Sequence, residues 1–229
     1  MCGRFVGFRN IEQLKVYFPI EVEKCDSIIN YNVAPSQKIL AVARIDGRNV
    51  LDQYHWGLVP YWAKDSSIGN KMINARSETV ATKPSFRQAF KKRRCLILAD
   101  GFYEWKSQKG IKQPILFTLP DKSPFAFAGL WETWKDGHTS DQIYQSCTIL
   151  TRKAEGPIQI IHHRMPVILK PGEYDYWLDT ENRDAEELQK RLQTKFVSEL
   201  ISHPVDKKVN SVRNNNLSNL EPVQLEFDF

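Results

Sequence analysis

Between Lys38 and Trp56 two runs of apolar positions, KILAVARI and NVLDQYHW, are parted by Asp46-Gly47. Asp-Gly turns hairpins readily because both positions accept positive φ at little cost, so this stretch predicts two antiparallel strands. Further along, CLILAD, FYEWK, PILFTL, FAFAGLWETW and IYQSCTIL are rich in β-branched and aromatic residues and broken by Gly, Pro and Asp-Lys. They predict a middle made mostly of sheet. Helical periodicity is confined to three places. Asn10 precedes Ile11, Leu14 and Phe18, which share one helical face, and Gln13 stands where it completes a capping box, so a short helix is expected over about 10–18. Pro84 opens a second over SFRQAFKKRR. Asp184 and Glu187 form a capping pair ahead of Leu188, Leu192, Phe196 and Leu200, which predicts a helix over 184–200 with one buried stripe. Residues 57–82 hold no sustained period, and a long irregular segment in a compact domain is commonly a functional loop.

Strands outnumber helices and are joined by turns instead of alternating with helices, so an α+β fold around a curved antiparallel sheet is expected. No repeat, low-complexity tract or linker divides the chain, and its 229 residues are read as one domain, 1–229. No apolar run approaches the length of a membrane-crossing helix. The opening MCGRFVGFRN lacks the basic-then-apolar pattern of a secretory signal, which makes the cytoplasm the expected location. A net charge of +5 fits a polyanionic partner without demanding one. The four cysteines, Cys2, Cys25, Cys95 and Cys147, form no C-x-x-C pair and have no histidine at ligand spacing, so neither zinc nor a disulfide framework is expected. Cys95 and Cys147 sit in apolar runs and read as small core residues. With no glycine-rich nucleotide motif either, no cofactor and no metal is anticipated.

Cys2 is different. Methionine before so small a residue is normally trimmed, which leaves a free α-amine beside the thiol. An α-amine titrates near ~7.7–8.0 and a thiol near ~8.5, so both are usefully nucleophilic at neutral pH with little tuning. The amine forms an imine with an aldehyde, and the thiol closes on the imine carbon to give a five-membered thiazolidine. Two other readings stand beside it: an ordinary residue at the start of a strand, and a thiol that attacks amides, as in amidotransferases that begin Cys-Gly. In LILADGFYEW, Glu104 lies among aromatics that would raise its pKa for proton transfer, unless it faces solvent. IIHHRMPVIL offers two histidines, as acid-base groups or as core residues satisfied by carbonyls. INARSET gathers Asn74, Arg76, Ser77, Glu78 and Thr79, to orient a substrate or to bond its own turn. The basic run Lys83, Arg87, Lys91, Lys92, Arg93, Arg94 suits phosphate contact or the carboxyl end of a helix. Trp56, Tyr61, Trp62 and Phe86 suit base stacking or the core.

In order, MCGRF, YNVAPSQ, WGLVPYW, INARSET, ADGFYEW, IHHRMPVIL and VNSVRNN resemble the SOS response-associated peptidase (SRAP) family over nearly the whole chain. The resemblance implies a single α+β domain with an antiparallel barrel-like sheet and flanking helices. It implies a protein that shields abasic sites in single-stranded DNA by covalent cross-linking, since the opened deoxyribose presents an aldehyde at C1′. By position, Cys2 matches the nucleophile, Asn74 the group that positions the opened sugar, Glu104 the proton shuttle, and His162, heading H-x-R-x-P with Arg164 and Pro166, the promoter of ring opening. Arg4, Asn32, Pro35, Trp62, Arg76, Glu78 and Thr79 fall where DNA-contacting or pocket-lining residues are expected, with Arg87 and Lys106 as phosphate partners. Tyr61 stands where a tryptophan can precede Trp62, so a wedge that splays bases is smaller here. The resulting expectation is a monomeric abasic-site sensor with a possible lyase activity through β-elimination. A cysteine peptidase or amidohydrolase using Cys2, and a non-covalent single-strand DNA-binding module, are the alternatives.

Overall fold

At the Asp46-Gly47 turn both residues take positive φ, 49° and 77°, in the computed structural model, which describes residues 2–108, 110–135 and 143–224. The turn joins two strands in full antiparallel register, from Lys38 opposite His55 to Ile45 opposite Arg48. In chain order the elements are β1 (Phe5–Gly7), α1 (Ile11–Lys15), β2 (Val22–Glu23), β3 (Asn30–Val33), β4 (Lys38–Ile45), β5 (Arg48–Trp56), β6 (Asn74–Arg76) and α2 (Arg87–Lys92). There follow β7 (Arg94–Ala99), β8 (Gly101–Gln108), β9 (Ile111–Thr118), β10 (Phe125–Lys135), β11 (Ile143–Lys153), β12 (Arg164–Pro166), β13 (Ile168–Leu169), α3 (Tyr174–Leu178), α4 (Ala185–Thr194) and β14 (Ile201–Pro204).

Strands β11, β10, β7, β4 and β5 are hydrogen-bonded in that order, and β5 returns to β11 through Ser146 opposite His55 and Cys147 opposite Trp56. The ring is closed. Its closing pair is parallel whereas the other four are antiparallel. An odd number of strands cannot close with every pair antiparallel, so the expected antiparallel barrel is a mixed one. A second, wholly antiparallel sheet runs β14-β9-β8-β1-β3.

Strand alternation divides the core in three. Ile39, Ala41, Ala43, Tyr54, Trp56, Ile97, Phe127, Cys147 and Ile149 fill the barrel, where Cys2, Phe5, Val33, Phe102 and Phe117 from the second sheet join them. The outer barrel face, including Leu40, Val42, Leu96 and Leu98, is covered by Leu14 of α1, Phe90 of α2, Trp177 of α3 and Leu188 and Leu192 of α4. The other face of the second sheet packs Val6, Tyr103 and Leu116 under Val205 and Val209. Among the described residues no helix is long and apolar enough to cross a membrane, and no cluster of three or more His, Cys, Asp or Glu could hold a metal ion.

Helix lengths differ from the periodic pattern. α1 keeps its Asn10–Gln13 capping box but stops at Lys15, with Phe18 tucked into the core by a turn onto the Leu14 carbonyl. α4 stops at Thr194, and Phe196 leaves the helical stripe to bridge Leu169 as a strand residue under the Arg152 guanidinium. Glu187 supplies only its backbone N–H to the Asp184 cap, because its carboxylate bonds Arg191 at 3.0 Å. α2 spans less than SFRQAFKKRR, since Arg94 turns inward and donates to the carbonyls of Phe90, Lys91, Trp177, Asp179 and Asn182. Those carbonyls end α2 and α3, so this buried guanidinium closes two helix termini at once; burial lowers its pKa to about 10.

Candidate functional site

β1 lies between β3 and β8, with Phe5 opposite both Val33 and Phe102. This pairing draws Cys2, Gly3 and Arg4 alongside β8, where the Arg4 carbonyl accepts from Tyr103 N–H at 2.9 Å. Along β8, Phe102 and Glu104 face the barrel, while Tyr103 and Trp105 face the other way. Cys2 is fully buried and Glu104 is 4% exposed. Burial raises the Cys2 thiol pKa and the nearby Glu104 charge raises it further, so the resting thiol is protonated. Near-neutral thiol titration without tuning, expected from the sequence, is therefore not what this environment gives. Burial also raises the Glu104 carboxyl, opposed by the charge of His162.

Asn74 begins β6, which runs parallel to β11 with Asn74 opposite Ile149. Its Nδ2 donates to the Cys2 carbonyl at 2.8 Å, and its Oδ1 is buried with no hydrogen-bond partner. Trp56 braces this arrangement: its edge meets Phe5 at a centroid distance of 5.2 Å, and its indole N–H donates to the Ile73 carbonyl at 2.8 Å. His162 follows a 3-10 helix over Gly156–Ile160, and its Nδ1 lies 2.9 Å from Arg164 N–H and 3.1 Å from the Arg164 carbonyl. The amide can only donate, so Nδ1 is the acceptor in the neutral ring. His163 stacks on His162 at 4.4 Å but is exposed, and its pKa is lowered chiefly by the His162 charge. Cys2 is thus linked to Asn74 by a hydrogen bond and to Glu104 by charge, and Glu104 in turn feels the charge of His162.

The outer candidates divide. Glu78 accepts two hydrogen bonds from Arg164, at 2.6 and 2.9 Å, and Arg164 also donates to the Thr151 carbonyl at 2.6 Å. Partial burial pushes the Glu78 carboxyl up, but the Arg164 bonds outweigh it and hold it below the usual range. Arg76 is exposed at the end of β6, and Thr79 sits in a turn, its N–H on the Arg76 carbonyl at 3.1 Å. Pro35 is half-buried in the turn between β3 and β4. Tyr61 and Trp62 are 60% and 48% exposed, side by side after Pro60. Their loop is held by a backbone approach: a Cβ on Gly57 would lie 2.6 Å from the Gly69 carbonyl oxygen, and one on Gly69 would lie 2.6 Å from that of Gly57. Lys106 is exposed on the Glu104 side of β8, two residues on.

Three further candidates are bound into the fold or lie on an outer helix. Asn32 is wholly buried, its amide on the carbonyls of Val209, Ser211 and Asn214, so its side chain cannot touch DNA. Arg4 is half-buried and donates to Asn32 Oδ1 at 2.7 Å and the Val209 carbonyl at 2.9 Å, so it braces a wall. Arg87 is exposed at the start of α2, whose Phe90 packs on the outer face of the barrel. Sequence reading also missed Trp105, whose indole donates to Asn210 Oδ1 at 2.7 Å beneath the Arg4 guanidinium. The signal was present, since FYEW and VNSVRNN are blocks of the same resemblance.

The SOS response associated peptidase (SRAP) model matches residues 1–212. A Bacillus subtilis (strain 168) protein described as abasic site processing protein YoqW is 42% identical over 218 residues, covering 94% of this chain and 96% of its own. The Gallus gallus abasic site processing protein HMCES is 35% identical over 199 residues, covering 77% of this chain and 58% of its own. A crystal structure of a Bacteroides thetaiotaomicron protein shares the fold at a TM-score of 0.87 and 22% identity, covering 97% of this chain and 100% of its own. With the family model spanning nearly the whole sequence and relatives this similar, the chain belongs to the SRAP family.

Proposed function

We propose that this protein processes abasic sites in DNA, capturing the opened sugar in single strands as a covalent adduct of Cys2. The observation that carries the reading is the burial of Cys2 beside Glu104 with its carbonyl held by Asn74. Removal of Met1, which lies outside the described residues, frees the α-amine. The amine attacks the C1′ aldehyde first, because the thiol is held protonated. Water leaves to give the imine; the sulfur then bonds C1′ while the thiol proton passes to nitrogen, closing the thiazolidine.

Glu104, its carboxyl raised by burial, gives a proton to the departing hydroxyl and takes one during ring closure. Asn74 Oδ1 offers an unused acceptor to a sugar hydroxyl, and His162 moves the proton that opens the sugar ring. Tyr61 and Trp62 supply flat surfaces for bases, and Arg76 and Lys106 supply charge for phosphates. The same imine acidifies C2′ and permits β-elimination of the 3′ phosphate, a lyase outcome. A thiolate nucleophile for amides needs a lowered thiol pKa, the opposite of what burial and Glu104 produce here, so the aldehyde reading is favoured over the peptidase one.

The test is Cys2→Ser on abasic single-stranded DNA. It keeps the amine and loses the thiol, so it should form an adduct only when borohydride traps the imine, whereas the wild-type adduct survives heating without reductant. A Cys2→Ser adduct as heat-stable as wild type would sink the thiazolidine.

A further inference from the structure

Residues Lys207–Asn215 form an exposed, polar surface segment that is nonetheless tied down more tightly than its composition requires. Asn32 bonds three of its carbonyls, Arg4 bonds Val209, Trp105 bonds Asn210, Tyr31 N–H donates to Asn215 Oδ1 at 2.7 Å, and Asn214 Nδ2 donates to the Lys208 carbonyl at 2.7 Å. Arg4 and Trp105 are near neighbours in sequence of Cys2 and Glu104, so the segment is fastened to the wall of the candidate site itself. Fixing the backbone in one conformation costs entropy, and a loop ordered in advance spares a ligand that cost.

What the segment displays is positive charge. Lys207 and Arg213 are exposed and Lys208 is half-buried; the single acid between His203 and Asn215 is Asp206, whose carboxylate caps Lys208 N–H at 2.7 Å. Next to it, Lys112 is exposed on β9, which packs against Lys207–Asn210, and no acid lies between Lys106 and Gln113. None of these four cations pairs with a carboxylate among the described residues.

We propose that Lys112, Lys207, Lys208 and Arg213 form a second DNA contact, a track for backbone phosphates of the strand beyond the lesion. Arg4, Asn32 and Trp105 are then the positioning residues that lock this track to the capture site. The proposal rests on the abasic-DNA reading above but not on its covalent step.

The experiment compares wild type, Lys207→Glu/Lys208→Glu/Arg213→Glu and a charge-matched control on the outer helices, Lys91→Glu/Lys92→Glu on α2 with Lys190→Glu on α4, by anisotropy with single strands of increasing length carrying a reduced abasic analogue that cannot form an imine. Adduct yield on natural abasic strands is read in parallel. The triple variant should lose about tenfold or more in affinity for long strands, with its salt slope reduced by about 2, the loss of three phosphate contacts, while short strands bind as to wild type. Equal loss on long and short strands, or a triple variant no weaker than the helix control, overturns the track. Length-dependent binding without any adduct leaves the track standing and overturns the covalent reading instead.

Discussion

The side-chain amide of Asn74 donates to the backbone carbonyl of Cys2 at 2.8 Å, joining β6 to the residue that leads into β1. The carbonyl is buried, so Asn74→Ala leaves it unpaired at a cost of about 1–3 kcal/mol. Melting should fall by roughly 2–4 °C per kcal/mol lost for a chain of this size. Adduct formation on abasic single-stranded DNA should slow by tenfold or more, about the worth of one bond that orients the nucleophile. A lower melting temperature with an unchanged adduct rate would make Asn74 structural alone.

Glu104 titrates above its usual value because burial disfavours its charge. A carboxyl raised on folding stabilises the native state below its unfolded pKa, near ~4.3, and this contribution is lost as pH rises through the folded value. Glu104→Gln should therefore be more stable than wild type at pH 7, and the two should converge toward pH 4. Its adduct rate should nevertheless fall, since glutamine cannot carry the proton. Melting curves across pH, run beside a gel assay, check both halves; a Glu104→Gln protein less stable than wild type at pH 7 contradicts the electrostatic account.

Glu78 is the converse, held low by Arg164. Its stabilising contribution is present above the unfolded pKa and is lost as pH falls through the folded one. Because the Glu78 side chain is 41% exposed, solvent screening limits the expected loss in Glu78→Gln to about 1 kcal/mol at pH 7, shrinking below pH 4. Arg164 also donates its N–H to His162, so adduct formation should slow as well. Chemical denaturation at pH 7 and pH 3.5 measures the difference.

Gly69→Ala places a Cβ 2.6 Å from the Gly57 carbonyl, a backbone atom that cannot swing aside. We expect a loss of about 1–3 kcal/mol from overpacking. The fluorescence of Trp62 should change as the loop shifts, and affinity for single strands should drop. Unchanged binding would remove the loop's aromatic pair from the DNA surface.

Local chemistry was readable and convergence was not. Asp46-Gly47 carries its own turn, and Asn10 with Gln13 carries its own cap, because both act within four residues. The end of α4 is decided by Phe196 pairing with Leu169, a contact no helical period encodes. The closing of the barrel depends on β5 meeting β11 nearly a hundred residues later. Cys2, Asn74, Glu104 and His162 stand out in the sequence through ordered blocks and not through spacing, since the β1–β8 and β6–β11 pairings that place the first three join distant segments. Polar type alone does not place Asn32 and Arg4, because a buried amide and a half-buried guanidinium serving distant carbonyls look, in sequence, like surface groups awaiting a ligand.

The most direct test of the central claim is the intact mass of the product formed with a single-stranded oligonucleotide carrying one abasic site, with Cys2→Ala as control. The account predicts a heat-stable species equal to the protein without Met1 plus the DNA less one water, absent with Cys2→Ala and with undamaged DNA. Protein confirmed to lack Met1 that yields no such species, or an equal yield from Cys2→Ala, would contradict it.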